Sequence, residues 1–182
     1  RRFKGRIDSS MNSALLIIDM LNDFVSPDGV LYSPLSARTI PHIKKQLEIA
    51  RSNKLPIFYI CDSHLKTDKE FEKFPPHCVK DSWGARIIDE LTPVDGERII
   101  EKRRYSAFLG TDLDISLKEL GINELIITGV VTNICILYTS YDARMLGYEV
   151  IIPRSCVASF SEDIHKFVLS ELENTLGVKI TD

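Results

Sequence analysis

The feature that most constrains the fold is a regular alternation of short apolar runs with longer amphipathic stretches. Six runs have the length and continuous hydrophobicity of strands buried on both faces, at residues 14–18, 56–61, 98–101, 125–129, 148–152 and 178–180. Helical patterns separate them, at residues 36–53, 84–91, 112–120, 133–146 and 161–176. This alternation predicts an α/β fold, a single-domain three-layer α/β/α structure with a central, mostly parallel six-stranded sheet.

Length, charge and composition exclude several classes of protein. The 182 residues suit one domain, and a net charge of −3 gives no support to a nucleic-acid partner or an anionic membrane surface. No apolar run approaches the roughly 20 residues that span a bilayer, so no membrane role is expected. No glycine-rich phosphate motif is present, and we expect no nucleotide cofactor. The four cysteines include no C-x-x-C pair, which fits a reducing cytoplasm.

The first ten residues differ from the rest of the chain. Residues 1–10 are basic and polar, too short and too polar for a signal peptide. They are interpreted as an extension, a cloning remnant or an upstream start. The folded domain is predicted to cover residues 11–182.

Chemically useful side chains follow four of the predicted strands. Asp19 ends the first strand, Asp62 ends the second and is followed by His64, Lys102 ends the third, and the fourth leads into the turn before Cys135. Ligands of parallel α/β sheets bind beyond the carboxyl ends of the strands. The sequence therefore predicts that these side chains meet at one edge of the sheet.

Cys135 lies between a strand and a predicted helix, where a thiol can become a nucleophile. The helix macrodipole would favour its thiolate, and the first helical N–H groups could stabilise an oxyanion. This position makes acyl transfer the first hypothesis. The alternative is that Cys135 is a small buried apolar residue, as most intracellular cysteines are.

Three segments together resemble a known family. They are Leu16-Ile17-Ile18-Asp19-Met20-Leu21-Asn22-Asp23-Phe24, then Glu101-Lys102-Arg103-Arg104-Tyr105-Ser106-Ala107-Phe108 with Gly110-Thr111-Asp112-Leu113, and Gly129-Val130-Val131-Thr132-Asn133-Ile134-Cys135. In this order they resemble the cysteine-hydrolase branch of the isochorismatase-like superfamily, which includes nicotinamidases and N-carbamoylsarcosine amidases. The resemblance covers the chain from about Ser13 onward.

The resemblance implies a catalytic triad of Asp19, Lys102 and Cys135. Asp19 would accept the thiol proton and pass a proton to the leaving amine, while Lys102 holds Asp19. The resemblance also implies a cis peptide between Val130 and Val131, with the N–H groups of Val131 and Cys135 as the oxyanion hole. Alternatively, Asp19 caps a turn and Lys102 is a solvated strand end.

A second cluster resembles the nicotinamidase metal site. Its residues are the Asp62-x-His64 pair and His77 in Phe74-Pro75-Pro76-His77. One carboxylate and two imidazoles suit a divalent metal, with Zn²⁺ as the first expectation and Fe²⁺ or Mn²⁺ as alternatives. The competing interpretation is that both histidines are loop residues bonded to backbone.

Aromatic side chains are predicted to form the substrate-binding walls. Phe24 and Phe74 match positions that flank the ring in nicotinamidases, and Tyr105 is a further candidate. Trp83 is another aromatic candidate, but ordinary packing is favoured for it.

The sequence thus predicts a hydrolase acting on non-peptide C–N bonds. The expected reaction is hydrolysis of a small carboxamide through a thioester, with nicotinamide giving nicotinate and ammonia. An N-carbamoyl or ureido substrate is the alternative, and a non-catalytic scaffold or a redox sensor is the alternative of a different class. A homo-oligomer is expected from the resemblance and from a possible apolar stripe at Tyr138, Tyr141 and Met145.

Overall fold

The computed structural model describes residues 12–182, so the extension predicted at residues 1–10 lies outside the described residues. Its centre is a seven-stranded parallel sheet. The strands are β1 (Ser13–Ile18), β2 (Ile57–Asp62), β3 (Arg98–Lys102), β4 (Glu124–Val130), β5 (Glu149–Pro153), β6 (Val157–Ala158) and β7 (Lys179–Thr181). Their order is β3-β2-β1-β4-β5-β7, and the short β6 pairs with β4.

Helices cover both faces of the sheet. They are α1 (Asn22–Val25), α2 (Pro34–Ala37), α3 (Ile40–Ser52), α4 (Leu113–Glu119), α5 (Leu137–Met145) and α6 (Glu162–Leu176). Apolar side chains of α4, α5 and α6 join the core on one face, and those of α1 and α3 join the core on the other. The three-layer α/β/α prediction is therefore confirmed. Between residues 12 and 182, no helix has the length and apolar character needed to cross a membrane.

Successive residues of β1 show why its sequence is a continuous apolar run. Leu16 and Ile18 face the core beneath α4 to α6, whereas Leu15 and Ile17 face the core beneath α3. Both faces of the strand are buried, so no polar alternation is possible.

Several predicted boundaries need correction. The sheet has seven strands rather than six, because the two residues of β6 were not recognised. The helix predicted at residues 36–53 is interrupted before α3, which begins at Ile40. The helix predicted at residues 84–91 is wrong: only short 3-10 turns form there, at Trp83–Ala85 and Asp89–Leu91.

Chain direction in the sheet determines where a ligand can bind. From β1 the chain builds outward through β2 to β3, then returns to place β4 on the other side of β1. Loops after β1 and β4 therefore diverge to opposite sides and leave a crevice at the carboxyl end of the sheet. Asp19 follows β1, and the turn that carries Cys135 follows β4.

Gly129 allows β4 to lie close to β1 just below this crevice. Its φ is 115°, and an added Cβ would lie 1.9 Å from the carbonyl oxygen of Ile18. We expect Gly129→Ala to lower the free energy of unfolding by more than about 3 kcal/mol, because backbone strain adds to a clash with backbone. Urea unfolding of both proteins measures the difference.

Gly96→Ala is the matched control. Gly96 also has a positive φ of 89°, but an added Cβ would have no neighbour within 4 Å. This variant should lose only about 1–2 kcal/mol, the cost of the backbone conformation alone. Equal losses in the two variants would show that the contact with Ile18 does not constrain Gly129.

Candidate active site

The predicted triad converges at the carboxyl ends of three strands. Lys102 Nζ lies 3.0 Å from Asp19 Oδ2 and 3.3 Å from Cys135 Sγ. All three side chains are buried. Asp19 has a left-handed backbone conformation (φ 54°) that ends β1 and starts the loop beyond it. The structure thus brings together a thiol, a carboxylate and an ammonium, as the sequence predicted.

Asp62 belongs to the same group, in addition to its predicted place among the metal ligands. Lys102 Nζ donates to Asp62 Oδ1 at 2.5 Å, and the backbone N–H of Asp62 donates to Asp19 Oδ1 at 2.8 Å. Ligand-type atoms of Asp19, Asp62 and Cys135 lie within 4.8 Å of one another. Because the ammonium of Lys102 already contacts all three, it occupies the cation position of this group and leaves no reason to place a metal ion there.

The surroundings separate the pKa values of the two carboxylates. Burial and the neighbouring Asp62 raise the pKa of Asp19 to about 6, against the opposing effect of Lys102. Burial would also raise the pKa of Asp62, but Lys102 and His64 together lower it to about 2. Asp19 is therefore the carboxylate suited to exchanging a proton near neutral pH, whereas Asp62 stays ionised.

Cys135 differs from the sequence-based expectation in one respect. Burial and the charge of Asp19 raise the pKa of its thiol well above the ordinary value, although Lys102 opposes the shift. The prediction that the helix terminus favours the thiolate is therefore not met. Cys135 is the fourth residue of a π-helical turn, Thr132–Ile136, rather than the cap of an α-helix. A protonated thiol needs a base, and a carboxylate oxygen of Asp19 lies within 4.8 Å of the Cys135 sulfur.

The predicted metal ligands form a second group beside the first. Single ligand atoms of Asp62, His64 and His77 all lie within 4.8 Å of one another, and the three side chains are buried. Asp62 Oδ2 lies 3.5 Å from His64 Nε2 and 3.8 Å from His77 Nε2. Asp62 therefore faces Lys102 with one oxygen and the two imidazoles with the other.

Hydrogen bonds on the far side of each ring direct the Nε2 atoms into the cluster. His77 Nδ1 lies 2.8 Å from the carbonyl oxygen of Pro75, which can only accept, so Nδ1 carries the proton. The Nε2 lone pair is then free to bind a metal. His64 Nε2 is buried and has no hydrogen-bond partner among the described residues. An orphaned buried nitrogen beside a carboxylate and a second imidazole fits a divalent cation.

Glu70 adds a carboxylate that the sequence analysis did not identify. Its oxygens lie 3.5 Å from His77 Nε2 and 3.8 Å from His64 Nε2. Glu70 lies in a short 3-10 turn within a charged loop, Lys69–Glu72. Acidic residues are common in such loops, and nothing in the local pattern distinguishes this one.

A narrow cleft opens at this edge of the sheet, and Cys135 is part of its lining. All three predicted substrate residues, Phe24, Phe74 and Tyr105, line it. The sequence analysis missed three further apolar residues of the wall, which are Leu31, Ile134 and Phe160. Trp83 is about half exposed and is not part of this wall, in agreement with the prediction for it.

The turn before Cys135 has the predicted backbone geometry. The peptide bond between Val130 and Val131 is cis, and Val131 lines the cleft beside Cys135. An oxyanion donor is required at this side of the thiol. The assignment of the Val131 and Cys135 N–H groups as donors stays a prediction.

Comparisons with known proteins point to one family. The family model described as the isochorismatase domain matches residues 13–182. The chain is 32% identical to N-carbamoylsarcosine amidase from an Arthrobacter species, covering 100% of this chain and 73% of that protein. The structure of the nicotinamidase/pyrazinamidase PncA from Bacillus subtilis is similar, with a TM-score of 0.90, 32% identity and coverage of 94% and 100%.

A third similar protein is described with a metal. The structure of the pyrazinamidase of Pyrococcus horikoshii in complex with zinc has a TM-score of 0.88 and 29% identity, covering 94% of this chain and 99% of that one. The family model matches nearly the whole chain, and both solved structures share its fold. This chain therefore belongs to the isochorismatase family of hydrolases.

Proposed function

We propose that this protein is a metal-dependent cysteine amidohydrolase that converts nicotinamide to nicotinate and ammonia. The observation that carries the proposal is that Cys135 and the metal-type residues Asp62 and His77 face the same aromatic-walled cleft. A flat amide between Phe24 and Phe74 would place its carbonyl near the thiol. The relatives named nicotinamidase and N-carbamoylsarcosine amidase support the reaction class.

The residues of this chain supply each proton transfer. Asp19 takes the proton of the Cys135 thiol as sulfur attacks the amide carbonyl, and the N–H groups of Val131 and Cys135 stabilise the oxyanion. Asp19 then returns the proton to nitrogen as the C–N bond breaks and ammonia leaves. Water attacks the thioester, giving the carboxylic acid and regenerating the thiol. Lys102 holds Asp19 throughout and balances the charge that moves between Asp19 and Cys135.

A divalent ion, with zinc as the first choice, would be held by Asp62, His64 and His77, with Glu70 close enough to complete the set. When bound, it would supply a Lewis-acid position for a ring nitrogen or a water molecule. The zinc complex of the similar pyrazinamidase supports this choice of metal.

Wall composition favours nicotinamide over a carbamoyl acid. Among the described residues, the cleft lining contains six apolar side chains and Tyr105 but no lysine or arginine. An N-carbamoyl amino acid carries a carboxylate, which would find no cationic side chain in this wall and would depend on the proposed metal ion alone for charge compensation. The uncharged pyridine ring of nicotinamide meets no such cost.

We further propose that the enzyme works in the cytoplasm as a homo-oligomer. All four cysteines are free and buried, which suits a reducing compartment. Tyr138, Tyr141 and Met145 are exposed on α5, and a second copy of the chain would cover them.

Cys135→Ala should lower kcat/KM for ammonia release from nicotinamide at least about 10³-fold, because the thioester can no longer form. Cys156→Ala is the control, since Cys156 is buried away from the cleft wall. Chromatography of the acid product distinguishes nicotinate from the product of a carbamoyl substrate. No turnover by folded, zinc-loaded protein would exclude nicotinamide and make carbamoyl and ureido compounds the next substrates to test.

Metal removal should abolish turnover, and zinc should restore it. His77→Ala should retain less than one zinc ion per chain after dialysis because the cluster loses an imidazole, as elemental analysis would measure. His42→Ala removes an exposed histidine outside the cluster and should bind zinc like the parent. Full activity in chelated, metal-free protein would contradict the metal requirement.

Phe160→Ala should raise KM for nicotinamide about tenfold, because burying the ring on substrate contributes about 1–1.5 kcal/mol. Phe160 lines the cleft yet is 43% exposed, so the change should leave folding intact. Phe167→Ala removes a more exposed ring outside the cleft and should leave KM unchanged. Equal KM values in both variants would show that Phe160 does not contact substrate.

A further inference from the structure

Asp68 is a buried carboxylate directly behind the metal cluster, and neither the cleft nor the triad uses it. Its exposed fraction is 5%. Asp68 Oδ2 lies 3.0 Å from His64 Nδ1, and the backbone N–H of Leu65 donates to the same oxygen at 3.1 Å. Asp68 therefore contacts the ring of His64 on the side opposite the cluster.

Arg103 fixes the orientation of the Asp68 carboxylate. Its Nε donates to Oδ2 at 3.3 Å, and its Nη2 donates to Oδ1. A guanidinium that meets both oxygens of a carboxylate restrains its plane more than a single hydrogen bond does. Arg103 is half exposed and does not line the cleft, so it has no direct path to substrate.

The consequence for His64 is a fixed ring orientation. An ionised carboxylate only accepts hydrogen bonds, so His64 Nδ1 must carry the proton and Nε2 must present its lone pair. That Nε2 is the buried, unpartnered nitrogen that faces Asp62 and Glu70. Outer-shell carboxylates that orient a histidine in this way strengthen metal binding.

We propose that Asp68 and Arg103 are positioning residues for the metal ligand His64, an inference that rests on the metal site of the proposed function. Two consecutive residues at the end of β3 then support the cluster from opposite sides. Lys102 holds the ligand Asp62 directly, and Arg103 holds the ligand His64 through Asp68.

The test measures zinc affinity of the metal-free protein by competition with a chromophoric chelator, without substrate. Asp68→Ala should raise the Kd for zinc about 10–100-fold, the usual effect of losing such a partner. Asp68→Asn keeps an acceptor for His64 but loses the paired guanidinium, and Arg103→Ala frees the carboxylate. Both should raise the Kd by less than Asp68→Ala.

Arg104→Ala is the matched control. It removes the same charge at the next position, but the Arg104 side chain donates to the carbonyl of Arg103 and not to Asp68. Its Kd for zinc should equal that of the parent. Thermal unfolding of each metal-free variant separates positioning from general stability, because a merely structural role would lower the unfolding temperature and leave the Kd unchanged.

Two results would overturn the inference, and they differ in meaning. The positioning role alone is removed if Asp68→Asn and Arg103→Ala bind zinc with a Kd within twofold of the parent. The same must hold for Asp68→Ala if that variant folds. The parent protein should have a saturable zinc site that His77→Ala abolishes. If it has no such site, the proposed metal site is removed together with the positioning role. Failure to hydrolyse nicotinamide with normal zinc binding would affect only the substrate assignment.

Discussion

The buried ammonium of Lys102 is the interaction on which the site depends. It contacts Asp19 just after β1, Asp62 at the end of β2 and Cys135 in the turn after β4. A buried charge is costly unless it is paired and hydrogen-bonded, and removing one partner leaves the others uncompensated. Lys102 donates hydrogen bonds to Asp62, to Cys135 and to the carbonyl oxygen of Arg104, which uses its three N–H donors, and its charge also pairs with Asp19. The carboxyl ends of three adjacent strands and the nucleophile turn are thereby held in one arrangement.

Asp62 is the point where the triad and the metal cluster meet. One of its oxygens accepts from Lys102, and the other faces His64 and His77. A change of charge in the triad therefore alters the electrostatic field at the metal cluster, and the reverse also holds, because both contact the same buried carboxylate. The hydrogen bond from the Asp62 backbone to Asp19 adds a second, direct link between them. The proposed nucleophile activation and the proposed metal binding would consequently be parts of one charged network.

Much of this arrangement could be predicted from sequence because it follows from chain topology. Continuous apolar runs identified the strands, and parallel strands must present Asp19, Asp62 and Lys102 at one edge. Residues that reach the site from loops distant in sequence could not be predicted in this way. Glu70 has no periodic signal in its charged loop, and Phe160 follows a two-residue strand that is too short to recognise.

The failed helix at residues 84–91 has an identifiable physical cause. Its apolar spacing suits a helix, but the middle of the segment is extended and bonds to the loop after β1. The N–H of Asn22 donates to the carbonyl of Arg86, and the N–H of Ile88 donates to the carbonyl of Met20. These backbone hydrogen bonds replace those of a helix, so tertiary pairing overrides local propensity.

Burial in this cleft favours binding of an apolar ligand but disfavours ionisation of the Cys135 thiol, and Asp19 offsets the second effect. Exclusion of water favours a flat apolar ligand, but it also raises the pKa of Cys135 and disfavours a free thiolate. The same burial raises the pKa of Asp19 to about 6, which makes this carboxylate a better base than an exposed aspartate. In the proposed mechanism, sulfur loses its proton as it attacks, and no exposed thiolate has to be maintained between turnovers. A low-polarity cleft and the proposed cysteine nucleophile are compatible because the proposed base, Asp19, shares the environment of the thiol.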